Sequence, residues 1–352
     1  MKRHNPLCNN FECKLFCPKQ NCSYYLSLEN EIIKDGTYST KNDTERRQIL
    51  LCKLGGHRFS ETAYSPLFGK HGSFKEYEQV CKLSCLRLSS DEISDVIGKD
   101  VRTIGVWQQV MAKKANTFHN FICLNITLSV LFLQMDELWS YLKNKQRQLW
   151  VFIGFEVESR FWINFKLGSR TTNTATKRVK QMKQYFDFSK LLQPLKITTD
   201  KLAAYKNALE TVFSKESYLY LQIVKQRIKK RLKTVKKCFV KGAEEDFQGK
   251  TQNTSYIERF NLTLRGRVAY LQRKTLGYCK KQANFETLLW LNLYDYNYRC
   301  YHKSLRIAVD LQKSQGRFQK NWNHQTPAMA MELSKEPLSW RFLFLVPIPL
   351  TA

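Results

Sequence analysis

Acidic residues are in short supply. Thirty Asp and Glu face fifty-eight Lys and Arg, giving a formal net charge of +28 and a pI near 9.7. Such a balance suits a polyanionic partner and is costly for a compact chain without one, which makes nucleic acid the leading candidate. The cations spread over most of the chain instead of along one amphipathic helix, which argues against a membrane surface. Long apolar runs are missing too. The longest, residues 121–135, is interrupted by Asn125, Thr127, Ser129 and Gln134 and is too short to span a bilayer, so it reads as a buried strand. The opening Met-Lys-Arg-His-Asn-Pro lacks the apolar stretch of a signal peptide, and a cytoplasmic location is expected. Neither a Gly-x-x-x-x-Gly-Lys-Ser/Thr phosphate loop nor a Gly-x-Ser-x-Gly elbow occurs, leaving nucleotide hydrolysis and esterase chemistry without support. No internal repeat or long low-complexity linker divides the chain.

Cysteine, by contrast, is plentiful near the start. Eleven Cys without an export signal are expected to be thiols and metal ligands instead of disulfides. Cys8, Cys13, Cys17 and Cys22 cluster within fifteen positions, and Cys17-Pro-Lys-Gln-Asn-Cys22 forms one knuckle. Cys52 returns about thirty residues later, with His57 five further on. That is near zinc-ribbon spacing, and a module of this size, residues 1–65, needs such a staple. Ordinary buried thiols are the plain alternative.

Residues 75–116 read as short helices around a glycine. Ser90-Asp91-Glu92 offers an N-cap region, Ile93, Val96 and Ile97 follow at helical spacing, Gly98 ends the helix, and Val101 starts another. The outline is a helix-turn-helix whose second helix offers Arg102, Thr103, Gln108 and Gln109 to a DNA groove; a helical hairpin linking two domains has the same outline. Over residues 128–310 the pattern becomes mixed. Strands are expected at 131–135, 149–155, 160–167, 195–199 and 218–224, with helices at 174–186 and through Ala204, Leu209 and Val212. That order outlines an α/β ribonuclease-H-like catalytic domain, preceded by the zinc-ribbon-like module and the helix-turn-helix and followed by a C-terminal tail, residues 311–352. Residues 225–241 carry nine cations, among them Lys229, Lys230 and Arg231. Such a run is either a solvated face or a surface that tracks phosphates.

Three acids stand out. Asp136 follows the first strand run and Asp200 the fourth, so both sit where the carboxyl ends of strands form a crevice, although a lone strand-end Asp is more often a turn or cap residue. On the helix opening near Thr254, residues Tyr256, Ile257, Phe260, Leu264, Val268 and Leu271 form one apolar stripe with Glu258 off it. Arg265, seven residues on, falls on nearly the same face as Glu258 about 10 Å along the axis, where it would grip a phosphate beside a metal. A solvent-exposed Glu and Arg on a surface helix is the plain alternative. Three carboxylates from two strands and a helix are what a protein needs to hold paired Mg²⁺ or Mn²⁺ ions, about 4 Å apart, over a phosphodiester.

The motifs Gln134-Met-Asp-Glu-Leu-Trp139, Thr198-Thr-Asp200, Asn253-Thr-Ser-Tyr-Ile-Glu-Arg-Phe-Asn-Leu-Thr-Leu-Arg265 and Tyr301-His-Lys-Ser-Leu-Arg306 resemble the successive motifs of DDE transposases of the insertion-sequence-one type. Cys17-Pro-x-x-x-Cys22 with Cys52 and Phe59-Ser-Glu-Thr62 resembles their zinc ribbon, and Thr326-Pro-Ala-Met-Ala330 their C-terminal signature, so the likeness spans nearly the whole chain. It implies that Asp136, Asp200 and Glu258 are the catalytic, metal-binding triad. It also implies double-stranded DNA as partner, both element ends and target, in the bacterial nucleoid, and a homodimer or larger synaptic assembly. One departure concerns the ribbon: where the family reads Cys-x-x-Cys-Gly, this chain has Cys52-Lys-Leu-Gly55-Gly56. Cys17, Cys22 and Cys52 with His57 are then the expected Zn²⁺ ligands, and Cys13 or Cys8 the alternatives to His57. The expected function is a transposase that binds terminal inverted repeats, cleaves DNA hydrolytically and joins it by transesterification. A non-catalytic DNA-binding regulator and a ribonuclease-H-like nuclease without strand transfer are the rivals.

Overall fold

The computed structural model describes residue 7 and residues 15–27, 31–41, 43–126, 128, 130–191, 193–213, 218–229, 231–273, 277–309 and 322–348; Cys8, Cys13 and Lys230 lie outside them. After the cysteine knuckle, three antiparallel strands, β1 (Ile32–Thr40), β2 (Asp43–Cys52) and β3 (His57–Ser60), form a sheet in that order. Its buried residues are Cys17, Cys22, Leu50, Cys52 and Phe59, too little apolar surface to be stable on hydrophobic burial alone.

Three helices follow: α1 (Phe74–Cys85), α2 (Ser90–Ile97) and α3 (Val101–Asn125). Both α1 and α2 open with a full capping box, Ser73 with Glu76 and Ser89 with Glu92. Gly98 closes α2 in the left-handed conformation, φ +70°, where a side chain would be strained. The N-terminal half of α3 packs on α1 and α2, while its later turns bury Phe118, His119, Ile122 and Cys123 in the main core. α3 runs on past residue 116, the expected end of the helix-turn-helix, to Asn125. The apolar run expected to be a single strand divides: α3 ends at Asn125, and the next strand begins at Phe132.

The main sheet is built from β4 (Phe132–Leu142), β5 (Asn144–Glu156), β6 (Trp162–Gly168), β7 (Leu195–Asp200), β8 (Tyr218–Ile228) and β9 (Arg231–Lys241), in the spatial order β6-β5-β4-β7-β8-β9. β4 pairs parallel with β7 and β7 with β8; the other neighbours are antiparallel. The intervening helices are α4 (Thr172–Lys183) and α5 (Ala203–Val212). This mixed six-stranded arrangement fits a ribonuclease-H-like fold. All five expected strands are present, and β9 is a sixth. The cationic run turns back at Lys229, φ +46°, and pairs with β8 as an edge strand. It has no regular apolar alternation because an edge strand exposed to solvent needs none, and lysines protect such an edge from pairing with other chains.

Opposite faces of β5 carry different helices. Phe152 meets Tyr205 of α5, whereas Phe155, three residues on, stacks at 4.7 Å on Phe260 of α6 (Ser255–Arg267). Next, α7 (Gln282–Tyr294) continues into a π-helical turn, Asp295–Arg299. There Asn297 accepts from the Trp162 N–H and donates to the Trp162 carbonyl, each at 2.9 Å. These bonds satisfy two backbone groups at the irregular start of β6, each worth about 1–3 kcal/mol if left buried and unpaired. The end of the chain is less of a tail than expected: α8 (Pro327–Ala330) is capped by Thr326, and α9 (Trp340–Leu345) places Trp340, Leu343 and Phe344 in the same core. Among the described residues, no helix is long and apolar enough to cross a membrane.

Candidate active site

The last rungs of the parallel ladder pair Gln134 of β4 with Thr198 of β7 and Met135 with Thr199. Asp136 and Asp200 come next on each strand, so sheet register alone brings them level. Asp136 accepts from the Glu137 N–H at 2.9 Å through Oδ1 and from Asn261 Nδ2 of α6 at 2.6 Å through Oδ2. Asp200 accepts from the Leu202 N–H at 3.1 Å, ahead of α5. Gln134 fixes the start of α6: its Nε2 donates to the Asn253 carbonyl at 2.7 Å, and its Oε1 accepts from the Ile257 N–H at 2.9 Å. Glu258, the next residue, thereby lines the same crevice of about 740 Å³ as the two aspartates.

The four acids of that crevice do not all meet. Asp136, Glu137 and Asp200 each bring an oxygen within 4.8 Å of the other two. Glu258 is held to the side, where its Oε1 accepts from Thr254 Oγ1 at 2.6 Å and pairs with Lys225 Nζ of β8. Across the crevice, Arg170 Nε donates to Glu137 Oε1 at 2.8 Å, and its Nη2 reaches within 4.0 Å of Asp200 Oδ2. Arg265 and Arg273 complete the positive lining.

Burial, and then the neighbouring Glu137 and Asp200, push the Asp136 carboxyl up to about 8 from its ordinary 3.8. Glu137 and Asp200 are raised as well, again chiefly by burial, with Arg170 offsetting part of the effect in both. Carboxylates removed from water and crowded together gain from a cation among them. Their all-oxygen donor set fits a hard divalent ion such as Mg²⁺ or Mn²⁺.

Sequence reasoning missed Glu137, Arg170, Lys225 and Asn261 at this site. Strand alternation sends Glu137 to the face opposite Asp136, yet its long side chain brings it back within reach. Asn261 left a readable signal, a polar residue on the buried side of α6 three positions after Glu258. Of the groove-reading candidates, Arg102 and Gln109 are exposed and Thr103 is half-buried. Gln108 is buried instead: its Nε2 donates to Ser84 Oγ at 2.9 Å, and its Oε1 accepts from Ser90 Oγ at 3.1 Å. It ties α3 to α1 and α2, so its polar groups are spent inside the helical unit. Lys229 and Arg231 are exposed at the β8–β9 turn.

In the N-terminal module, Cys17, Cys22 and Cys52 bring their sulfurs within 4.8 Å of one another, with Cys22 and Cys52 at 3.9 Å. A zinc ion about 2.3 Å from each sulfur at tetrahedral angles separates them by about 3.8 Å, so three corners of a site fit. The Gly55 N–H donates to Cys52 Sγ at 3.1 Å. A Cβ on Gly55 would fall 2.3 Å from Cys22 Sγ and 3.0 Å from Cys52 Sγ, so the glycine borders the space that a fourth ligand would enter. Among the described residues, His57 is not within the thiol group's mutual reach, although it pairs with Cys52 across β2 and β3 and its Cδ2 lies 3.2 Å from that same Cβ position.

The raised Asp136 carboxyl carries a sign for stability. A carboxyl whose folded pKa exceeds its unfolded value binds an extra proton in the fold, so stability falls as pH rises from 3.8 to about 8 and levels off above. Without divalent ions, the wild-type melting temperature is expected to drop across that window, and Asp136→Asn to flatten the slope. Thermal melts of both proteins against pH, repeated with Mg²⁺, check this; equal slopes would remove Asp136 as the source.

Residues 129–248 match the family model described as IS1 transposase. A search of curated proteins finds no match. The matched segment holds all six strands of the main sheet, with Asp136 and Asp200, and ends before Glu258. That segment, about a third of the chain, is similar to the insertion-sequence-one transposases.

Proposed function

We propose that the chain is a transposase that binds the terminal inverted repeats of its own element and performs cleavage and strand transfer with Asp136, Asp200 and Glu258. The observation that carries this reading is that β4, β7 and α6 deliver these three carboxylates to one crevice lined by Arg170, Lys225 and Arg265. Divalent ions bound there would supply activation of the attacking oxygen and stabilisation of the leaving one. The protein's own share is positional. Asn261 and the Glu137 N–H hold both oxygens of Asp136, Gln134 holds the first turn of α6, and Arg265 offers a phosphate a bidentate cation at the crevice wall. Joining two DNA ends further implies at least two copies of the chain.

Asp136→Asn, Asp200→Asn and Glu258→Gln are each expected to lower cleavage of labelled element ends by at least about a hundredfold while leaving repeat binding largely intact. The same assay separates the rivals. Joined product supports the transposase, cleaved product alone a nuclease, and bound DNA alone a regulator; substantial cleavage by the Asp136→Asn protein would sink the triad.

Two DNA-binding surfaces are proposed. Arg102, Thr103 and Gln109 on α3 read the repeat, and Lys229, Lys230 and Arg231 hold phosphates. Replacing Lys229 and Arg231 with Ala should weaken binding to repeat and random DNA alike, flattening the salt dependence by about one unit of slope for each phosphate no longer neutralised. Arg102→Ala should cost about 1–3 kcal/mol on the repeat only. Filter binding against salt on both DNAs checks this, and identical discrimination by the two variants would remove α3 as the reading head.

The N-terminal module is proposed to hold one Zn²⁺ on Cys17, Cys22 and Cys52, with His57 as the fourth ligand after a small turn of its ring. Metal analysis of the purified full chain should find zinc, Cys52→Ser should lose it, and His57→Ala should weaken it by about 10–100-fold or more. Zinc retained unchanged by His57→Ala would shift the fourth corner to Cys8, Cys13 or water.

A further inference from the structure

The β8–β9 hairpin carries a feature that phosphate binding does not explain. Between Tyr218 and Ala243 there is no Asp or Glu, so the hairpin is positive throughout. An edge strand protected by lysine should show charge and little else. Yet Ile228, Leu232 and Val235 are 54%, 55% and 49% exposed, three large apolar side chains toward the end of the most cationic element in the chain. Leu232 and Val235 are in pairs on one face, and Ile228, opposite Arg231, is in the next pair along. Left in water, such a cluster is a liability, and a surface of this kind usually marks a contact.

Register shows what the cluster faces. Val235 is the cross-strand partner of Lys225, and Lys225 Nζ reaches Glu258 of α6. Side chains paired across two strands share a face, so Val235 stands on the side of the acidic crevice, directly beyond Lys225. The next pair on that face brings in Leu232 opposite position 227, after the irregularity at Gln226. From the other wall, Leu262 of α6 is 57% exposed, one helical turn past Glu258, and lines the same crevice. Leu262 thus lines the crevice itself, and Val235 and Leu232 continue the same face of the sheet outward past Lys225, among the cations of the hairpin.

We propose that the hairpin is a DNA wedge: Leu232 and Val235 enter the base stack beside the phosphodiester to be cleaved and unpair the adjacent base pair, while Lys229, Arg231, Lys233 and Lys236 hold the backbone. Charge selects the partner, because an acid-free ribbon attracts a polyanion and repels a basic protein surface. The apolar side chains select the mode. Phosphates offer them nothing, whereas the faces of unstacked bases do, and apolar wedges flanked by Lys and Arg are how proteins open base steps at a cost of a few kcal/mol. The need is geometric: Asp136 is recessed in a crevice, and a phosphate in a stacked, paired duplex is less able to enter it than one whose base has been displaced. This inference rests on the transposase reading for the identity of the DNA, but its deciding readout, base unstacking, is taken without cleavage.

The probe is a duplex spanning the junction between flanking DNA and the terminal repeat, with 2-aminopurine at the junction base pair and Ca²⁺ in place of Mg²⁺ so that bound DNA stays intact. Binding of the wild-type chain is expected to raise the 2-aminopurine fluorescence as the base leaves the stack. The Leu232→Ala/Val235→Ala double variant should lose at least about two-thirds of that rise while its affinity stays within about twofold, because the backbone contacts remain. Leu232→Phe, which keeps an apolar wedge, should retain the rise. In Mg²⁺, the double variant should cleave a junction already mismatched faster than the paired one, by at least about tenfold. No rise with saturating wild-type protein, or an equal rise with the double variant, would overturn the wedge. A normal rise without cleavage of either DNA by the wild-type chain would leave the wedge standing and count against the transposase reading.

Discussion

Parallel pairing of β4 with β7 forces Asp136 and Asp200 to the same level of the sheet, where burial denies them the water that would screen their repulsion. The surroundings accommodate that repulsion on three sides. Asn261 donates to one aspartate from α6, Arg170 lies against Glu137 and near Asp200, and Lys225 holds Glu258 away from the others. Carboxylates so crowded and buried would gain from a divalent ion among them. The same cations that temper the acids line the path by which a phosphodiester would approach.

The helix proposed to read DNA is fixed relative to that crevice by the core. α3 is a rigid rod of 25 residues, about 37 Å long, that exposes Arg102 near its start and buries His119 in the main core. Within the core, His119 contacts Tyr298 Oη at 3.0 Å and the Ile163 carbonyl at 2.8 Å. Whatever the first turns of α3 bind is therefore held at a set distance from the sheet. The C-terminal segment adds to this rigidity, since Trp340 packs on Tyr294 with ring centroids 5.0 Å apart and Phe342 meets Phe118 of α3 at 5.9 Å.

The resembling motifs sort themselves by what their residues touch. Gln134, Asp136, Asp200, Glu258 and Asn261 bear on the crevice or on the helix that lines it. The Thr-Pro-Ala-Met-Ala run is architectural: Thr326 is a buried helix cap whose oxygen accepts from the Met329 N–H, with Pro327 at the first helical position. A recognisable string of residues marks either chemistry or a turn that must be made one way, and only contacts distinguish them.

Much was legible in the sequence, because local rules govern it. Apolar runs with β-branched and aromatic residues announced five strands, caps and glycine announced α2, and a 3.6-residue stripe announced α6 with Glu258 beside it. The knuckle spacing announced three thiols that do converge. What tertiary structure alone decided depends on partners distant in the chain. β9 is a strand because β8 offers it an edge, not because of its own pattern. Gln108 has the look of a groove-reading residue until Ser84 and Ser90 claim its amide from two other helices. Glu137 joins the acids although alternation assigns it to the other face, and Val235 shares the crevice's face of the sheet only through its register with Lys225. Sequence spacing measures position along one element, whereas electrostatics and exposure are set by what neighbouring elements bring within a few ångströms.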